Sequence, residues 1–206
     1  MSISPANFPE MTELPTLSAE FIGSAARLSQ CPEDDVVEVA FVGRSNAGKS
    51  STLNRVAANK RLARVSKTPG RTRLINLFET SWGFRIVDLP GYGYAKASQK
   101  ERAAWNAAVD EYLEQRTNLR GLVLVMDARH PLKPFDQRML EWASERVLRV
   151  LVLLNKADKL KRNAQIRTVA ETKHHVDTYE SVTVQLFSAT SGLGSDELTR
   201  WLTKFV

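Results

Sequence analysis

Four short stretches carry residue types at spacings that suit a charged ligand. The first is Gly43-Arg44-Ser45-Asn46-Ala47-Gly48-Lys49-Ser50, which fits G-x-x-x-x-G-K-[S/T]. A turn of this kind aims successive backbone N–H groups inward as a nest for an anion. Gly43 and Gly48 let the backbone approach phosphates more closely than a Cβ would permit. Lys49 supplies a point charge for β- and γ-phosphates, and the Ser50 hydroxyl, followed by Ser51, is placed to ligate Mg²⁺. A Gly/Ser turn can match four positions by accident, so the context has to decide. Here the apolar run Val36 to Val42 enters the turn and the helix-compatible stretch Ser50 to Lys60 leaves it.

The second stretch is Asp88-Leu89-Pro90-Gly91, a D-x-x-G arrangement. Its carboxylate can hold Mg²⁺ through a water and the Gly91 N–H can meet a γ-phosphate. Alone this pattern is only a turn, and it gains weight by lying one hairpin after the phosphate loop. The third is Asn155-Lys156-Ala157-Asp158, N-K-x-D, directly after an apolar run. The Asp158 carboxylate can accept hydrogen bonds from the ring N–H and exocyclic amine of guanine. Adenine offers neither donor there, and an unpaired desolvated carboxylate separates such analogues by a factor of roughly 10⁴. Asn155 would tie the loops together, and Lys156 would cover the base with its aliphatic stem. The bland alternative is a surface charge cluster. In the fourth stretch, Ser188-Ala189-Thr190, the Ala189 N–H can reach the guanine carbonyl. The remaining contact to Mg²⁺ and the γ-phosphate falls to Thr72 within Gly70-Arg71-Thr72-Arg73-Leu74, with Thr68 as the alternative.

Positioning these groups requires strands that end where the motifs begin. The pattern predicts strands at 19–25, 36–42, 74–78, 84–87, 122–126, 150–154 and 182–187. Helices are predicted at 49–58, 98–116, 135–145, 164–176 and 195–204, the last capped by Ser195. Continuous apolar strands alternating with helices indicate an α/β fold: a three-layer P-loop NTPase of the Ras-like type. Its sheet is expected to be mostly parallel with one antiparallel edge strand and helices on both faces. Ligands then gather at the carboxyl ends of the strands. Residues 1–18, with three prolines, read as a tail, and 19–206 as a single domain.

Length and composition agree: 206 residues, 43% hydrophobic and 25% charged, suit an ordinary globular protein. No run is long enough to span a bilayer and no signal peptide is expected, so no membrane partner is expected either. The single cysteine, Cys31, fits a reducing cytoplasm and reads as a packing residue. The net charge of +6 favours a polyanionic partner. Eight basic residues and no acidic one lie between Lys49 and Phe78: Lys49, Arg55, Lys60, Arg61, Arg64, Lys67, Arg71 and Arg73. His130, His174 and His175 read as solvated or structural, and the four tryptophans as packing groups.

These motifs in this order resemble the TrmE–Era–EngA–YihA group of GTPases, most closely the EngB/YihA/YsxC family of ribosome-biogenesis GTP-binding proteins. The resemblance rests on GRSNAGKSS, KTPGRTRLINLF, DLPGYGYA, DARHPLKPFD, NKAD and SAT. It implies a GTP/GDP switch with Mg²⁺, slow GTP hydrolysis and K⁺ as a further cofactor. It also implies a part in assembling the large ribosomal subunit, by contact with its rRNA and proteins, and in division and septation. A monomer is expected. The nucleotide contacts implied are 43–51, 70–74, 88–91, 155–158 and 188–190. Lys49, Thr72 and Gly91 would be catalytic, and Ser50, Thr72 and, through water, Asp88 would hold the metal. Ras-like switches orient the attacking water with a glutamine after the D-x-x-G glycine; here Tyr92 takes that place. Asn46 stands where potassium-activated relatives place a potassium ligand. Two rivals predict different behaviour: a non-hydrolysing, nucleotide-gated RNA-binding module, and a small-molecule kinase that prefers ATP.

Overall fold

The apolar runs become the strands of one seven-stranded sheet: β1 (Ala19–Ala25), β2 (Glu38–Gly43), β3 (Ile75–Thr80), β4 (Arg85–Asp88), β5 (Leu119–Asp127), β6 (Arg149–Asn155) and β7 (Val182–Leu186). The computed structural model describes residues 16–59, 62–63, 74–92 and 99–206, and the backbone alone at 99–106. The strands lie in the order β1-β3-β4-β2-β5-β6-β7. β4, β2, β5, β6 and β7 are mutually parallel. Among the described residues β3 alone runs against the others, paired antiparallel with both β4 and β1. It sits one place in from the edge because β1 covers it.

Among the described residues five α-helices follow the expected order: α1 (Lys49–Val56), α2 (Gln99–Gln115), α3 (Pro134–Glu145), α4 (Arg162–Val176) and α5 (Ser195–Leu202). Successive strand side chains point to opposite faces, and the core divides accordingly. Ala40, Val42, Leu122, Leu124, Val150 and Val152 pack with Tyr112 of α2, Leu140 of α3 and Val176 of α4. Val39, Phe41, Val123, Val125, Leu151 and Leu153 pack with Leu53 of α1 and Leu198 and Trp201 of α5. Of the expected tail, residues 16–18 are described, and Leu17 is buried in the second of these layers.

Apart from the start of β5, the element ends lie within two residues of expectation, and that start and the cap of α5 differ for physical reasons. β5 starts at Leu119, earlier than 122, because the exposed Arg120 and the buried Gly121 interrupt an apolar run whose backbone still pairs with β2. Ser195 does not cap α5. The cap position is Gly194, in the left-handed region at φ 77°, and the Ser195 hydroxyl is buried with no partner among the described residues. A Cβ at Gly194 would run into the Leu186 carbonyl, so the turn into α5 is set by glycine geometry rather than by a side-chain cap.

Candidate nucleotide site

Because the parallel strands share a direction, their carboxyl ends lie along one rim, and three of the four stretches begin at a strand's last residue. Gly43 ends β2, Asp88 ends β4 and Asn155 ends β6, with Ser188 two residues past β7. Gly43 has no room for a side chain, since a Cβ would lie 2.5 Å from the Val125 carbonyl of β5. Gly48, at φ 99°, is the residue before α1, and a Cβ there would enter the Asn155 side chain. The loop between them is therefore a narrow turn delivering Lys49, Ser50 and Ser51 to the first turn of a helix.

Lys49 and Asp88 form a buried ion pair at the centre of the rim. Ser50, the next residue after Lys49 on α1, is half-buried. Ser50 and Asp88 are hard oxygen donors, as Mg²⁺ requires. Among the described residues no group of three or more His, Cys, Asp or Glu could hold a metal. Two such oxygens fit a cation that takes its other ligands from phosphates and water, as Mg²⁺ does in nucleotide sites.

Asn155 stitches three loops. Its amide donates to the Ala47 carbonyl (2.8 Å), and its Oδ1 accepts from the Lys156 N–H (2.8 Å) and the Ala189 N–H (3.3 Å). The Ala189 N–H expected to face a guanine carbonyl is thus directed at Asn155. Lys156 adopts φ 64° and donates from Nζ to the Asn46 carbonyl (2.5 Å) and to Asp127 (2.9 Å). Asp158 accepts from the Ser188 hydroxyl at 2.7 Å, with Lys159 at 3.3 Å. The Ser188 bond holds the Asp158 carboxyl below its usual range, so an ionised acceptor stands at the mouth of the site. The Ala157 N–H is tied to the Phe187 carbonyl (3.1 Å), which locks the N-K-x-D turn to the end of β7.

Past Gly91, the Tyr92 backbone joins the phosphate loop: Ser45 N–H donates to the Tyr92 carbonyl (2.7 Å) and Tyr92 N–H to the Gly43 carbonyl (3.3 Å). The Tyr92 side chain is buried, its ring stacked on Phe135 at 3.9 Å and its hydroxyl bonded to Asp136. Burial and the Asp136 charge push the phenol far above its usual pKa. Burial also raises the Asp136 carboxyl, against hydrogen bonds from Tyr92 and the Lys133 N–H.

The sequence reading left Asp127 and Asp136 without a role. Both lie in DARHPLKPFD, and the available signal was Pro134 followed two residues later by Asp136, a helix start. Asp127 ends β5 and is gripped by Arg129 (2.7 Å) and Lys156 (2.9 Å). Burial alone would raise its pKa, but these cations hold it well below the usual carboxylate value. Leu74 is described and exposed just before β3. Gly70, Arg71, Thr72 and Arg73, the alternative Thr68, and Lys60, Arg61, Arg64 and Lys67 lie outside the described residues.

Residues 38–156 match the family model described as 50S ribosome-binding GTPase. The chain is 51% identical to a probable GTP-binding protein EngB of Tolumonas auensis over 88% of its length and 86% of the relative's. It is 49% identical to the Escherichia coli counterpart, over 93% and 92%. Among solved structures, a probable GTP-binding protein engB matches with TM-score 0.66 at 22% identity, over 82% of this chain and 98% of that one. Aquifex aeolicus Era Y63A bound to GDP·AlF₄⁻ also gives 0.66, at 23% identity, over 84% and 57%. Those two likenesses speak for the fold; the sequence relatives and the matched model carry the rest. The chain whose strand ends carry this rim of loops belongs to the 50S ribosome-binding GTPase family, among the EngB GTP-binding proteins.

Proposed function

We propose that the chain is a GTP-driven switch that binds the large ribosomal subunit or its precursor and hydrolyses GTP slowly. The observation that carries the guanine reading is Asp158, fixed by Ser188 on a turn locked to β7. In this reading 43–51, 70–74, 88–91, 155–158 and 188–190 contact the nucleotide. Lys49 and the phosphate-loop N–H groups stabilise charge on the phosphates, with Gly91 and Thr72 sensing the γ-phosphate. Ser50, Thr72 and, through water, Asp88 would hold Mg²⁺, which when bound neutralises charge on the β- and γ-oxygens.

Slow hydrolysis has a geometric support. The side chain after Gly91, where a water-orienting group would sit, is Tyr92, and its hydroxyl is engaged by Asp136 inside the protein. A ribosomal partner, or K⁺ near Asn46, would then supply the missing acceleration. The described residues contain no helix long and apolar enough to cross a membrane. A cytoplasmic monomer, residues 19–206 acting as one G domain, and a part in division complete the proposal.

Competition calorimetry with GTP, GDP and ATP tests it. GTP and GDP are expected to bind and ATP to be rejected by a factor of roughly 10³ or more, and Asp158→Asn should remove most of that difference. Phosphate release from the same preparation should rise with large subunits and in KCl over NaCl. Equal uptake of ATP and GTP overturns the reading.

A further inference from the structure

A cavity of about 280 Å³ opens beside the phosphate loop, between that loop, the end of β5 and the start of α3. Arg44 to Ala47 and Lys156 on its wall belong to the proposed nucleotide contacts, whereas Met126, Asp127, Arg129, His130, Lys133 and Asp136 do not, so the cavity extends from the outer side of the phosphate loop towards α3. Four cationic side chains face it, Arg44, Arg129, Lys133 and Lys156, with His130 alongside and two carboxylates, Asp127 and Asp136.

The carboxylates are already satisfied. Asp127 is shared by Arg129 and Lys156. Asp136 is buried and accepts from the Tyr92 hydroxyl and, at 2.8 Å, from the Lys133 N–H. Arg44 and Lys133 form no ion pair among the described residues, and both are exposed. Lys133 is also the residue before the first turn of α3, whose positive dipole end borders the cavity. The surplus is therefore cationic, and its two free members come from different elements across an opening.

We propose that this cavity takes a backbone phosphate of RNA, with Lys133 and Arg44 as its charged partners and His130 as a further donor. Its volume falls just under the roughly 300–1,000 Å³ of pockets that enclose a whole small molecule, which suits one phosphate and a sugar edge rather than a second nucleotide. The net charge of +6 and the basic run between Lys49 and Phe78 give the chain a general attraction for polyanions, and the match of residues 38–156 to the 50S ribosome-binding GTPase model favours RNA among them. The inference rests on the ribosome-binding reading and adds to it a point of contact that reports on the switch. Ser45, Asn46 and Asp136 share the cavity wall, and through Asp136 it touches the tyrosine that follows Gly91.

The test uses the full chain loaded with GDP and a labelled fragment of large-subunit rRNA, with affinity measured over a series of KCl concentrations. Lys133→Ala combined with His130→Ala should weaken binding by roughly fivefold. The slope of log K against log salt should become shallower by about 0.7–0.9. Lys133→Arg should restore both, and GDP affinity and the urea midpoint should match the wild type. Unchanged affinity and slope in the double variant, while the wild type still binds, overturn the cavity and leave the ribosome reading standing. A wild type that binds no RNA overturns both. Displacement of a labelled poly-glutamate peptide only by the wild type, with RNA binding equal in both proteins, would assign the cavity to an acidic protein segment and overturn the RNA assignment.

Discussion

At the scale of single residues, the D-x-x-G segment of this chain is held by its tyrosine as much as by its backbone. Tyr92 has its ring on Phe135 and its hydroxyl on a carboxylate that is itself buried at 2% exposure. Removing the hydroxyl leaves one oxygen of Asp136 without its donor while the Lys133 N–H still engages the other. An orphaned buried acceptor costs about 1–3 kcal/mol. Tyr92→Phe is therefore expected to lower stability by about that amount in urea unfolding, with the ring stacking retained. Adding Asp136→Asn, which keeps an acceptor for Lys133 but sheds the charge, should recover part of the loss. A Tyr92→Phe protein as stable as the wild type would mean that the Asp136 contact contributes nothing.

At the scale of elements, the strand that feeds the phosphate loop is anchored at its far end by charge. Glu38, the first residue of β2, is fully buried. Its carboxylate accepts from Arg85 of β4 (2.9 Å), Tyr112 of α2 (2.7 Å) and Arg116 just past α2 (2.7 Å). Asp34 adds a second carboxylate on Arg85 at 2.7 Å. Breaking a buried pair from one side strands the opposite charge and costs about 3–5 kcal/mol. Glu38→Ala should lose that much stability in thermal or chemical unfolding, whereas a loss under 1 kcal/mol would show that Arg85 and Arg116 find other partners. This anchor was not legible in the sequence, because Glu38 interrupts an apolar run and its three partners lie 47 to 78 residues away. The strands and helices were legible, since Val39 to Val42 and Leu122 to Met126 declare buried parallel strands by continuous apolarity. So were the residues at the strand ends, because phosphate and guanine recognition restrict which side chains serve. Asp127 and Asp136 were visible as letters only. Their partners come from loops that meet through the sheet order β4-β2-β5-β6, which spacing along the chain does not encode.

At the scale of the whole molecule, these carboxylates divide between two poles of the sheet, and pH separates them. At the amino end of β2, burial alone would raise the Glu38 pKa, but bonds from Arg116, Tyr112 and Arg85 hold it below its ordinary value. At the carboxyl ends of the strands, Asp127 and Asp158 are likewise depressed, by Arg129 and Lys156 and by Ser188. A group whose folded pKa is depressed contributes stability above its unfolded value, near 4, and loses it as pH falls through the folded value. Asp136 has the opposite sign: its raised pKa makes its contribution complete below about pH 4 and lost as pH climbs through the folded value. Acid unfolding should therefore draw on Glu38 at one pole and on Asp127 and Asp158 at the other, with Asp136 working against them. Nucleotide affinity in the same range should follow the other pole. The urea midpoint is expected to fall between about pH 5 and pH 3. Glu38→Gln should begin lower at neutral pH and descend less steeply, because its own titration is gone, while GDP affinity keeps its wild-type dependence on pH. If the two curves descend in parallel, proton uptake by Glu38 is not what unfolds the molecule. If GDP binding flattens along with stability, the two ends of the sheet are coupled.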